Sequence, residues 1–272
     1  MAGSMGRLSA TNGMLHIVTA LITVGLVVGL CGPARGTQEG GEPKSAVEPN
    51  ADNVVDESLG TCLRLIEQGR FDEARKLVES IVALQPRSSR AHLVLALTYH
   101  KQRRYGVAKP IFERAIQLDP EDRLILPYYG WCLYYLGEAD ASRAQFEQFA
   151  AFMPEHADAH YALGLLDFDG GKREDAKRQF DLAIEFARKA NGRIDEAKSR
   201  ARLADVLVRE GEWEKAKKEL ERSVALNPEL YGAYFRLSRV LQRLGDEEGA
   251  QQARRMHDEV RRRLHPEQGH PE

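Results

Sequence analysis

Apolar residues recur along this chain at helical spacing, and alternate runs close on the same phrase: SIVALQP, RAIQLDP, QFAAFMP and RSVALNP. Pro86, Pro120 and Pro154 stand 34 residues apart, and Pro228 follows after 74, which is two periods and six extra residues. Gly69, Gly137, Gly171, Gly211 and Gly245 sit between successive apolar runs at the same period. A small residue follows each of them at five-residue spacing: Ala74, Ser142, Ala176, Ala216 and Ala250. Ala108 holds that place in the repeat that lacks the glycine. The pattern predicts helix pairs. Glycine permits the left-handed backbone that ends a first helix, and a small side chain lets the second helix approach the first closely.

Six such units begin near Val55, Ser89, Arg123, Ala157, Ala197 and Tyr231. Their residues resemble the tetratricopeptide repeat, whose pattern is W-x2-L-G-x2-Y, then A-x3-F, then P. The fullest match is His92, Leu95, Ala96, Tyr99, Ala108, Phe112 and Pro120, followed by His160, Leu163, Gly164, Ala176 and Phe180. The resemblance implies an all-α, right-handed α-solenoid of antiparallel helix pairs over residues 53–264. Pro110 and Pro127 fall within or near the first turns of their helices, which are expected to begin late or bend. The six extra residues lie around Asn191 and Gly192 and should lengthen the flanking helices. Arg254 and His257 stand where earlier repeats carry Phe180 and Ala183, the polar finish that a solenoid needs where it meets water.

The N-terminus has another pattern. Residues 14–30 are uncharged apart from His16, and Arg7 precedes them. A basic start, an apolar run and small residues at Ala34 and Gly36 read as an export signal over residues 1–36. The run also reaches the lower length limit for a membrane span, so an uncleaved anchor stays open, as does a lipid on Cys31. Residues 37–52 hold one large hydrophobe, Val47, among Gly, Pro, Ser and acids, and read as a flexible spacer. Residues 265–272 read as a disordered tail. The expected location is therefore exported or extracytoplasmic, with possible membrane attachment through residues 14–30.

Charge narrows the function. Lysine and arginine number 39 against 41 acids, so the whole chain has no field suited to nucleic acid. Cys62 and Cys132 lie two repeats apart and are not expected to pair. His156 and His160 have a spacing that could face one metal ion. However, His160 repeats the packing slot of His92, and no third ligand accompanies the two. No phosphate-cradling glycine loop or flanked nucleophile is present. The expectation is a non-catalytic protein without cofactor or metal.

In the tetratricopeptide family the first helix of each pair lines a groove that usually takes a peptide or helix of another protein. Here those helices carry a lane of changing character. Tyr128, Trp131 and Tyr135 come first. Ala162, Leu165 and Asp169 follow, with Tyr161 and Phe168 beside them. The lane then turns basic with Lys198, Arg202, Asp205 and Arg209, and ends on Arg236, Arg239 and Arg243. Tyrosine, tryptophan and arginine dominate binding hot spots. The expected partner is a protein segment with an apolar end over the aromatics and an acidic end over the arginines. Lys198 and Arg202 match the last pair of the family's clamp for carboxylate-ended tails. Pro127, Trp131 and Ala162 fill its other places, so that clamp is absent. A self-associating cell-envelope protein is the alternative reading.

Overall fold

The computed structural model describes residues 51–265, with side chains from Val55 onward. The signal or anchor, nearly all of the spacer and the tail beyond His265 lie outside the described residues. Among the described residues there are twelve α-helices, one 3-10 turn and no strand. The chain divides into two compact units whose boundary falls between Leu136 and Gly137.

The first unit holds α1 (Ala51–Glu67), α2 (Phe71–Leu84), α3 (Ser89–Lys101), α4 (Tyr105–Leu118) and α5 (Leu126–Leu136). Helix α1 begins inside the span read as spacer. α1 packs on α2 and α3 on α4, with the small residues Ala74 and Ala108 wholly buried at the two crossings. Ser88 starts α3 by accepting a hydrogen bond from the Ala91 amide at 3.2 Å. The two prolines differ in effect. α5 does begin late, behind a 3-10 turn at Arg123–Ile125, with Pro127 in its first turn where no amide is missed. α4 does not: it starts at Tyr105 and carries Pro110 inside. The carbonyl that Pro110 leaves without an intrahelical donor belongs to the exposed Gly106, where water can serve it. Cys62 and Cys132 are both buried and not joined in a disulfide, and burial pushes the Cys62 thiol up to about 11.

The second unit holds α6 (Ala139–Phe152), α7 (Ala157–Asp169), α8 (Arg173–Lys189), α9 (Arg193–Glu210), α10 (Trp213–Leu226), α11 (Tyr231–Arg243) and α12 (Glu247–Leu264). α7 packs on α8, α9 on α10 and α11 on α12. The inserted residues lengthen the helices beside them, as the sequence predicts: α8 has 17 residues and α9 has 18, against 13 in α7 and 14 in α10. Gly164 of α7 marks a close helix approach, since a Cβ there would stand 2.7 Å from the Phe180 ring of α8. At the end of the array Arg254 is exposed, and His257 lies edge-on to Tyr231 at 5.7 Å and tilted against Phe235 at 5.6 Å.

The turn glycines share one conformation, with φ between +74° and +82°. In the repeat without a glycine, Arg103 takes the same left-handed backbone at φ +60°, and Asn191 does so within the insertion at φ +57°. Asparagine tolerates this region through its short polar side chain, whereas arginine has no such help.

Candidate functional site: an arginine face on the first helices

Tyr128, Trp131 and Tyr135 belong to the first unit, and the structure corrects their reading as a surface stripe. Trp131 is 1% exposed and Tyr128 5%. Tyr135 is half-buried, stacked on Tyr105 at 4.7 Å and 6.1 Å from Trp131. The same cluster holds His100, which is 2% exposed, lies edge-on to Tyr105 at 5.1 Å and has neither ring nitrogen hydrogen-bonded. Burial pushes its pKa down to about 3, with the Lys101 charge adding to the effect. The aromatic row is therefore core. Its helix is apolar on every side because nearly every side is enclosed.

In the second unit α7, α9 and α11 follow one another, with α9 touching both of its neighbours. Three further expected contact residues prove to be buried: Tyr161, Leu165 and Lys198, at 8%, 4% and 8% exposure. Lys198 lies 3.6 Å from Asp195. Phe168 is half-buried and carries a cation on its face, with the Arg209 guanidinium carbon 3.8 Å from the ring centroid. Arg243 lies over Trp213 in the same way, at 5.5 Å. Arg209, Arg239 and Arg243 are all exposed, and among the described residues none of them is paired with a carboxylate. Phe235, one turn before Arg239, is 42% exposed.

Arg202 and Arg236 are half-buried and tied together through Asp205. Arg236 Nε donates to both carboxylate oxygens of Asp205, at 2.9 and 3.0 Å, and its Nη1 donates to the Gly232 carbonyl at 2.9 Å. Arg202 Nη1 donates to Asp205 Oδ2 at 3.2 Å. Burial works against the charge on Arg202, but Tyr161 and Asp205 together outweigh it and raise its pKa. The lane is thus a set of arginines spread over α9 and α11, with one carboxylate at its centre.

The two histidines of α7's first turn are engaged in packing. His160 has its ring nitrogens 2.8 Å from Gln179 Oε1 and 2.7 Å from the Pro154 carbonyl oxygen. His156 lies edge-on to Phe149 at 5.0 Å. The place of three side chains in this arrangement was not evident in the sequence. Asp205 looked like an odd member of a basic row, and its link to Arg236 crosses 31 residues. Phe235 and Trp213 could have been noticed as aromatics outside the packing positions of their helices.

The tetratricopeptide repeat family model matches residues 63–123 and 201–257. The type IV pilus assembly protein PilF of Pseudomonas aeruginosa is 21% identical over 198 residues, which cover 72% of this chain and 75% of that protein. Anaphase-promoting complex subunit 3 of Schizosaccharomyces pombe is 25% identical over 132 residues, 48% of this chain and 20% of that protein. The chain thus spans a fifth of the yeast protein and three quarters of the bacterial one. Among solved structures, P. aeruginosa PilF superposes with a TM-score of 0.64 at 19% identity, over 79% of this chain and 93% of that one. PilW, a type IV pilus biogenesis factor, gives 0.66 at 17% identity over 80% and 97%. The Cut9–Hcn1 complex gives 0.69 at 14% identity over 76% and 40%. The helix pairs, their 34-residue register and these likenesses agree, and the chain is a tetratricopeptide-repeat protein, a non-catalytic scaffold for protein interaction.

Proposed function

We propose that this protein holds an acidic peptide or helix of a partner protein on the arginine face of α9 and α11, outside the cytoplasm, as an adaptor in building a larger assembly. One observation carries the reading: Arg209, Arg239 and Arg243 are exposed on the neighbouring helices α9 and α11 with no carboxylate partner among the described residues. Arg209 lies over a ring. A guanidinium resting on a ring keeps its N–H edge for a carboxylate, so the site is partly ordered before the ligand arrives. Phe235 and the rim of Phe168 offer apolar contact beside the charges. Likeness to a pilus assembly protein over three quarters of its length supports the assembly role. The basic start and apolar run at residues 14–30 support export.

The test is fluorescence anisotropy of labelled octaglutamate with the full chain. Arg209→Glu and Arg239→Glu should each weaken binding about three- to tenfold at low ionic strength, and less at physiological salt, where screening erodes exposed pairs. Unchanged binding in both variants would remove the arginine face from the function.

A further inference from the structure

Arg202 and Arg236 are placed as a carboxylate seat is placed, and the protein fills that seat itself. We infer that Asp205 is the built-in occupant of an anion site formed by Arg202 and Arg236, and that it decides which acidic ligands the face accepts. The inference rests on the arginine-face reading above and adds a specificity-determining residue to it.

Three observations support it. The first is geometry. Asp205 receives Arg236 Nε on both oxygens and Arg202 on one, the contacts that an incoming ligand carboxylate would make. The second is that each arginine has an anchor besides Asp205. Arg236 is held by the Gly232 carbonyl, and Arg202 by the Tyr161 hydroxyl. The seat therefore keeps its form when the carboxylate is removed. The third is position. The Asp205 side chain is 23% exposed, so it lies at the face and not in the core. Arg209 stands one turn beyond it on α9, while Arg239 and Arg243 continue α11 beyond Arg236.

The consequence is a pattern of charge. An evenly acidic chain laid along the face beyond the outer arginines meets a fixed carboxylate at Asp205 and is repelled there. A segment whose acids are confined to one end reaches the outer arginines and leaves Asp205 unopposed. This is discrimination by a built-in repulsive element, and it also disfavours nucleic acid and polyphosphate.

The experiment compares two labelled probes on the full chain at low salt: octaglutamate, and an eight-residue peptide of four glutamates followed by four serines. Wild type should favour the second probe. Asp205→Asn, which keeps the shape and removes the charge, should tighten octaglutamate binding about fivefold or more and erase the preference. Asp205→Ser should do the same, and thermal melts by circular dichroism accompany both. Unchanged or weaker octaglutamate binding in two folded variants would make Asp205 a mere link between helices. Loss of the fold in both would also overturn the inference, since it would show that the carboxylate is structural. If Arg209→Glu and Arg239→Glu leave octaglutamate binding intact, the underlying reading fails. If they weaken it and Asp205→Asn has no effect, only this inference fails.

Discussion

In α7 every residue from Tyr161 to Asp167 is buried, whereas α11, the first helix of another repeat, exposes Phe235, Arg239, Gln242 and Arg243. The composition of each helix matches its surroundings. α7 reads ADAHYALGLLDFD and carries apolar residues on all sides, and its one buried acid, Asp167, is met by Arg143 at 2.7 Å. α11 reads YGAYFRLSRVLQR and confines Ala233, Leu237, Val240 and Leu241 to the buried side. The contrast explains where binding can occur. A helix that is apolar all round has been enclosed by its own array, and its aromatics hold the fold together. A helix with a cationic side has one face in water, and only that face can meet a partner.

Four measurements break or sharpen this contrast. Trp131→Ala removes a wholly buried ring from the enclosed cluster of α5 and should cost about 3–5 kcal/mol in urea unfolding. A small loss would put Trp131 back among the candidate contacts. Gly164→Leu drives a side chain into Phe180, whose ring already stands 2.7 Å from a Cβ at that site, and should cost about 1–3 kcal/mol. Equal stability would mean that α7 and α8 do not cross there.

The third measurement is acid titration of stability. His100 is neutral in the folded protein down to about pH 3, while the unfolded chain takes up a proton near 6.5. Above 6.5 the group contributes nothing to the pH dependence. As pH falls below 6.5 the unfolded state gains a proton that the folded state refuses, so stability drops by about 1.4 kcal/mol per unit. The loss should reach roughly 2 kcal/mol at pH 5. His100→Phe should flatten that limb, and an unchanged slope would assign it to other groups. The smallest effect is expected at the cationic helix: Arg239→Glu should move the urea midpoint by less than about 0.5 kcal/mol, because an exposed charge holds little of the fold. A larger loss would make the arginine face structural.

The helix pairs and their register were legible from proline and glycine spacing, because each marks a backbone event that depends on the residue alone. The boundary at Ala51 and the start of α4 ahead of Pro110 were not legible, because helix ends depend on what the neighbouring turns supply. The basic half of the lane was legible as a row at helical spacing. The aromatic half was misread: periodicity shows that Tyr128, Trp131 and Tyr135 share a side of α5, and does not show what stands against that side.

By itself, then, the sequence determined an array of helix pairs with a 34-residue period, where the close crossings fall and which helices carry charge. Those are consequences of local backbone preference and of side-chain size, which travel with each residue. Only the tertiary structure decided that Trp131 is core, that Arg209 rests on Phe168 and that Asp205 joins Arg202 to Arg236. Burial and pairing are properties of two surfaces brought together. The links from α9 to α7 and α11 span whole repeats, so no window of sequence contains both partners.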